Sequence, residues 1–108
     1  MPITWDNKKT ENLVKAVLAL KNSNEAKRFL RDLLTPEELD EFGNRWQAAQ
    51  MLDRGISYST IRGKTGLSST TIARISKWLN KGKGGYKLII SRTSKHHHNL
   101  KSSKKGLR

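Results

Sequence analysis

A chain of 108 residues without cysteine can form one domain with a modest core, and it has neither disulfides nor thiolate metal ligands. No apolar run approaches the ~20 residues of a membrane-spanning helix, so a cytoplasmic protein without a membrane partner is expected. The formal net charge is +13, and residues 54–108 carry fourteen Lys or Arg but no Asp or Glu, which favours a polyanionic partner over a merely solvated basic surface.

The first third of the chain has the apolar spacing of two amphipathic helices. The first is predicted over about Asn7–Lys21, with Leu13 and Val17 on its apolar stripe. The second is predicted over about Glu25–Leu34. Its apolar residues recur at i, i+3, i+4, i+7 and i+8, which is the pattern of one buried face, and they are Ala26, Phe29, Leu30, Leu33 and Leu34.

The strongest local signal in the sequence starts the third helix. In the run Thr35-Pro36-Glu37-Glu38, Thr35 can cap the helix, Pro36 suits the first turn and Glu38 occupies the capping-box position. The helix is predicted to run to Arg54, where Gly55 can adopt the left-handed conformation that ends a helix.

Apolar residues lie on two sides of this third helix. One side carries Leu39, Phe42, Trp46 and Ala49, and much of the other carries Ala48, Met51 and Leu52. A helix that is apolar on two sides is usually buried on two sides. Because two short preceding helices can hardly cover both, we expect a second subunit to cover the rest, which makes the protein a homodimer.

After Gly55 the apolar residues have the spacing of two short helices joined by a turn, which is the pattern of a helix-turn-helix. A short helix over about Tyr58–Lys64 is capped by Ser57, and a second helix over about Ser69–Lys81 is capped by Ser68. Between them lies a tight turn that contains glycine, as this motif requires. The predicted inward side chains are Ile61, Leu67, Ile72, Ile75 and Leu79.

The remainder of the chain is predicted to be less regular. A glycine-rich stretch leads into Tyr86–Ile90, which has strand character but no obvious partner strand. From Ser91 the sequence is too polar to order itself alone. The predicted organisation is therefore a helical dimerisation scaffold, a helix-turn-helix, a Gly-rich extension and a disordered basic tail, over residues 1–56, 57–81, 82–90 and 91–108.

The outward face of the second motif helix carries the residue types that read DNA bases. Ser69, Thr70 and Ala73 are short enough for close approach to a base edge, and Arg74 can make a bidentate contact to guanine. An ordinary surface helix could show the same pattern. The acid-free sequence around it favours DNA binding.

Other residues of the motif are predicted to contact the DNA backbone. Basic side chains can neutralise phosphates, and the capped start of a helix can hold a phosphate through free backbone N–H groups. These candidates are Arg54, Ser57, Tyr58, Arg62, Lys64, Ser68, Lys77 and Lys81. Arg62 stands where many such motifs have a small residue, and the neighbouring Gly63 is expected to relieve the crowding at a cost to the helix.

No other chemistry is favoured. Three adjacent imidazoles, His96, His97 and His98, cannot all face one ion, so no metal site is predicted. No nucleophile–base pair or carboxylate dyad stands out, which argues against an enzyme.

The sequence resembles the Trp repressor superfamily, and within it the bacterial YerC/YecD branch, over about Leu13–Ile90. The resemblance implies an all-α, intertwined homodimer whose helix-turn-helix binds operator DNA. It rests on Leu33-Leu34-Thr35-Pro36-Glu37-Glu38, Gly43-Asn44-Arg45, Arg54-Gly55, Ser57, Thr65-Gly66-Leu67-Ser68, Thr71-Ile72-Ala73-Arg74, Leu79-Asn80 and Gly84-Gly85-Tyr86-Lys87.

The resemblance also implies a ligand slot, and here the chain departs from the family. Thr35, Arg45 and Arg74 match the residues that close the tryptophan site of the Trp repressor. The residue after the last of these is glycine there and Ile75 here, and one turn later a small hydroxyl residue is replaced by Trp78. We therefore expect a remnant pocket that is plugged by the protein itself, with no tryptophan corepressor and no cofactor.

These observations predict a sequence-specific regulator that binds duplex DNA, acts as a repressor and is associated with the nucleoid. Two alternatives stay open. One is the DNA-binding subunit of a mobile element, which a neighbouring catalytic reading frame would favour. The other is a non-specific RNA-binding or nucleoid-coating protein, which equal affinity for unrelated duplexes would favour.

Overall fold

The computed structural model describes residues 5–94, and every regular element within that range is a helix. Five helices have defined starts and ends, and a sixth, α6, covers residues 85–94 up to the last described residue. The first five are α1 (Lys8–Ala19), α2 (Ser23–Leu33), α3 (Pro36–Asp53), α4 (Tyr58–Thr65) and α5 (Ser69–Lys81). The predicted all-α fold is therefore confirmed.

Side-chain caps fix where the first three helices begin. Asn7 Oδ1 accepts a hydrogen bond from the N–H of Thr10, and Asn22 does the same for Glu25, each at 2.9 Å. Before α3, Thr35 N–H donates to Glu38 Oε1 at 2.9 Å while Glu38 N–H donates to Thr35 Oγ1 at 3.0 Å. This reciprocal pair is the predicted capping box, and loss of such a cap costs about 1 kcal/mol.

The chain divides into two compact units, with the boundary between Asp40 and Glu41. Within the first unit, α1 and α2 contain no buried residue. Their apolar stripes form as the periodicity predicts, yet Val17 and Leu18 remain 51% and 77% exposed. The helices of this unit are therefore capped but bury little apolar surface within a single chain, and helices this short are marginal without packing.

The second unit has a core of its own. Ile61, Ile72 and Ile75 are its largest fully buried side chains, and full burial of a side chain of this size is worth about 1.5–3 kcal/mol. The predicted inward residues of the helix-turn-helix are confirmed, since Leu79 is also buried and Leu67 packs against the core. The remaining buried apolar residues are Ala48, Ala49, Met51 and Ile90.

The strand predicted over Tyr86–Ile90 is wrong, because this segment is helical. Tyr86 and Ile90 are four residues apart, so a helix turns both to one side. Ile90 is buried in the core, and the Tyr86 ring stacks on Trp46 with a centroid distance of 6.3 Å. The aromatic and β-branched composition that suggested a strand is overridden by this packing.

An ion pair also links α6 to the end of α3. Lys87 Nζ lies 3.2 Å from Asp53 Oδ1 at the end of α3. The predicted disordered tail begins at Ser91, but residues 91–94 continue α6. The rest of that predicted tail lies outside the described residues. The predicted boundary between a dimerisation scaffold, residues 1–56, and a helix-turn-helix, residues 57–81, stays a prediction.

Among the described helices, none combines the length and the apolar character that crossing a membrane demands.

Candidate nucleic-acid interface

The turn between α4 and α5 is fixed by one glycine and one buried hydroxyl. Gly66 ends α4 in the left-handed conformation, with φ 75°, and its N–H donates to Arg62 O at 2.8 Å. The side chain of Thr65 is buried, donates to Ile61 O at 2.7 Å and accepts from Leu67 N–H at 3.2 Å. These bonds hold the two helices of the motif at a defined junction.

The second motif helix, α5, separates a buried side from an exposed side. Ile72, Ile75 and Leu79 lie in the core. The helical period of 3.6 residues places the predicted DNA-contacting residues on the opposite side. All of them are exposed, and they are Ser69, Thr70, Ala73, Arg74, Lys77 and Lys81.

The hydroxyls of the two motif caps are already used within the chain. Ser57 Oγ accepts from Thr60 N–H at 3.2 Å and donates to Thr60 Oγ1 at 3.0 Å. Ser68 makes the equivalent two bonds with Thr71, both at 3.1 Å. Each serine therefore fixes the start of its helix, and its predicted DNA contact depends on the unpaired main-chain N–H groups of the first turn.

The other predicted backbone contacts are all at the surface. Arg54, Tyr58, Arg62 and Lys64 are exposed. Because the described sequence after Asp53 contains no acidic residue, the charged side chains of α4 and α5 are all positive. An anionic partner would meet attraction along this whole surface.

Sequence reasoning missed a groove beside the turn, and in particular Ser59. The groove has a volume of about 540 Å³ and is lined by Ser59, Arg62, Gly63, Gly66, Leu67 and Ser68. Ser59, Arg62, Gly63 and Gly66 follow the i, i+3, i+4, i+7 spacing of one helix side. This spacing is the sequence signal that could have found them.

The crowding that Gly63 was expected to relieve is absent. Arg62 is exposed, and a Cβ built on Gly63 would meet no atom within 4 Å beyond its immediate chain neighbours and the local helix backbone. A glycine inside a helix costs about 1 kcal/mol relative to alanine.

A family model described as Trp repressor protein matches residues 8–94, a range that contains the whole α4–turn–α5 unit. The chain belongs to the Trp repressor family. Membership makes the protein one of a family of DNA-binding regulators, and it confirms the resemblance that the sequence suggested.

Individual relatives agree with this assignment. The chain is 35% identical over 85 residues to the uncharacterized protein YerC of Bacillus subtilis. The aligned region covers 79% of this chain and 82% of YerC. It is similar to the solved structure of a TrpR-like protein from Eubacterium eligens, with a TM-score of 0.78 and 34% identity over 83% of this chain and 93% of that one. A candidate Trp repressor from Staphylococcus aureus gives a TM-score of 0.75 and 33% identity over 82% and 88%.

Two residues that match the family's ligand site, Thr35 and Arg45, make contacts within their own units. Thr35 caps α3 in the first unit. In the second unit, Arg45 pairs with Glu41, and its guanidinium lies 5.7 Å from the centroid of the Phe42 ring. Ile75 is only 1% exposed, and the plugged pocket remains a prediction.

Two aromatic residues of the second unit, Trp78 and Tyr86, differ in their exposure. Trp78 is 46% exposed. Burial raises the pKa of the Tyr86 hydroxyl, and the positive charge of Arg45 opposes that rise.

No metal centre is formed by the described residues, among which no three His, Asp or Glu are grouped to hold an ion. His96, His97 and His98 lie outside the described range.

Proposed function

We propose that this member of the Trp repressor family is a homodimeric, sequence-specific repressor that places α5 in the major groove of duplex DNA and needs no tryptophan. The observation that carries the proposal is the division of α5 into a buried apolar side and an exposed side rich in hydroxyl and basic groups. The absence of acidic residues from the sequence after Asp53 supports it. The proposal includes a cytoplasmic, nucleoid-associated location.

The chemistry of the exposed side suits base recognition. Near the start of α5, Ser69 and Thr70 can bond donors or acceptors, and Ala73 can contact a thymine methyl group. Arg74, one turn later, can reach guanine O6 and N7 together. Lys77 and Lys81 lie further along the helix, where they would contact phosphates and position the reading residues without adding sequence information.

Replacing Arg74 with Ala tests this division of roles. The variant should lose about 1–3 kcal/mol of discrimination at one base pair per half-site, because the bidentate contact is gone. Binding-site selection followed by fluorescence anisotropy would measure the loss. As a matched control, Lys77→Ala should weaken binding to all sequences about equally. Equal affinity of the unaltered protein for unrelated duplexes would instead favour a non-specific nucleoid-coating or RNA-binding protein.

The dimer is supported by apolar side chains that a single chain leaves exposed. Large exposed apolar patches are typical of protein–protein contact surfaces. The residues concerned, all in the first unit on α1 and α2, are Leu13, Val14, Val17, Leu18, Leu30 and Leu33. A second copy would cover them and would set two reading helices about 34–36 Å apart on a roughly palindromic operator.

We expect sedimentation at micromolar concentration to give about twice the 12.3 kDa mass of one chain. Val17→Asp should shift the mass to that of a single chain, since it puts a charge into the proposed interface. Lys15→Asp, on the polar side of the same helix, should leave the dimer intact. A single-chain mass for the unaltered protein would contradict the dimer.

A further inference from the structure

Trp78 is the one large apolar residue of α5 that the core does not cover. It is 46% exposed, whereas Ile72, Ile75 and Leu79 on the same helix are buried. An exposed indole keeps apolar surface in water, which is unfavourable unless another group packs on it. The proposed filling of the ligand slot leaves part of Trp78 accessible to a further partner.

Arg74 is the neighbour of Trp78 one turn earlier on α5. Residues four apart on a helix have Cβ atoms about 5–6 Å apart, and a long helical side chain leans towards the N-terminus of its helix. The Trp78 ring therefore covers the helix surface beside Arg74. On the other side of Trp78, α5 ends at Gly82, which has no side chain, and Lys81 is the second charged neighbour.

No carboxylate in the described chain holds the Arg74 side chain. Arg74 is exposed, and within residues 5–94 it forms no hydrogen bond or ion pair. The sequence from Arg54 onward has no acidic residue that could compete for it. The protein does place an arginine over a ring on its own helix elsewhere, since the Arg45 guanidinium lies 5.7 Å from the centroid of the Phe42 ring.

The chemistry of guanine recognition favours an aromatic neighbour for Arg74. The N–H donors of a guanidinium lie in its plane, so a carboxylate that bound them would compete with guanine O6 and N7. An indole packs on the flat face of the guanidinium and leaves the donors free. Stacking also restricts the rotation of a long side chain before it meets the base, which lowers the entropy cost of the contact.

We infer that Trp78 is a specificity-determining residue, whose indole supports the Arg74 guanidinium while Arg74 contacts a guanine. Trp78 acts through Arg74 and is therefore a positioning residue. The inference rests on the proposed DNA-binding function and deepens it, because the selectivity of one base contact then depends on a second side chain. Removal of water by the bound DNA would strengthen the attraction between the cation and the ring.

Trp78→Ala should reduce discrimination at the base pair that Arg74 reads by roughly 2–30-fold, the range of a cation–π contact. Trp78→Phe should retain part of it, because a phenyl face still attracts a cation. Affinity for unrelated duplexes and the slope of log affinity against log salt should stay the same, since the ring neutralises no phosphate. In an Arg74→Ala background, Trp78→Ala should cause no further loss. Binding-site selection and anisotropy titration of the full chain would measure these effects.

Lys81→Ala is the matched control, because Lys81 is the other charged neighbour of Trp78 and has no proposed base contact. It should weaken binding to all duplexes about equally. Fluorine NMR of the full chain labelled with fluorotryptophan gives a second measurement. The Trp78 resonance, identified by its loss in Trp78→Phe, should shift when the selected duplex is added, and it should shift less after Arg74→Ala.

Unchanged discrimination in Trp78→Ala, or a further loss in the Arg74→Ala background, would overturn the inference and leave the proposed function standing. Equal losses of affinity for all duplexes would overturn it in favour of a direct contact between Trp78 and DNA. If Trp78→Ala does not fold, a Trp78 resonance that ignores both the duplex and Arg74→Ala would still refute the inference. Failure of the unaltered protein to discriminate among duplexes would defeat the proposed function as well.

Discussion

Between 50 and 200 mM salt, the affinity for duplex DNA should fall by roughly 10³–10⁵-fold. A drop of this size corresponds to about six to ten phosphates neutralised per dimer, each releasing condensed counterions. One copy of α4 and α5 provides Arg62, Lys64, Arg74, Lys77 and Lys81 on its surface. Without Arg74, which is proposed to read a base, two copies offer eight such cations, which lies within that range.

Anisotropy titrations at several salt concentrations would give the slope of log affinity against log salt. Each lost phosphate contact should make the slope shallower by about one, so Lys77→Gln in both subunits should change it by about two. Lys15→Gln, on α1 in the near-neutral part of the chain, should not change it. A slope near zero for the unaltered protein would contradict a DNA-backbone contact of this kind.

Tryptophan at millimolar concentration should neither bind measurably nor alter operator binding. Where the family has a glycine that leaves room for an indole ring, this chain has Ile75, which is 1% exposed in the core of the second unit. Displacing a buried side chain of that size costs about 1.5–3 kcal/mol. That cost alone would weaken ligand binding by roughly 10–150-fold. The indole of Trp78, one turn later, adds bulk on the same helix.

Calorimetry and mobility-shift assays with and without tryptophan would test this expectation. Micromolar tryptophan affinity, or an operator complex that requires tryptophan, would show that the slot is open. The double variant Ile75→Gly with Trp78→Ser removes both side chains and should be the first to show a weak indole response. Because Ile75 lies in the core, its removal costs about 2–5 kcal/mol, so the fold must be checked first. Trp78→Ser alone removes a half-exposed ring and serves as the folded control.

Local rules predicted the parts of this fold that are set by neighbours in sequence. The caps at Thr35, Ser57 and Ser68, the turn glycine Gly66 and the two sides of α5 follow from hydrogen-bonding groups and a 3.6-residue period. These features form within a few residues of one another, so no knowledge of the tertiary structure is needed to place them.

Features that depend on distant residues could not be predicted in the same way. The segment Tyr86–Ile90 has the composition of a strand, and only its contacts with Trp46 and the core make the helix favourable. The exposure of Trp78 and the open space beside Gly63 are likewise properties of the folded surface. For the candidate site, the sequence therefore predicts which residues face outward, but not how closely a partner can approach them.

The packing of α6 against the end of α3 limits how this protein can change during evolution or by design. Residues 57–81 do not form a portable module, because their core is completed by Ala48 and Met51 from α3 and by Ile90 from α6. Transplanting the motif alone into another scaffold would leave apolar surface uncovered. The exposed positions Ser69, Thr70, Ala73 and Arg74 contribute nothing to that core. If α5 reads DNA as proposed, new operator preferences would be accessible through single substitutions on α5, whereas exchange of whole motifs would uncover the apolar core and reduce stability.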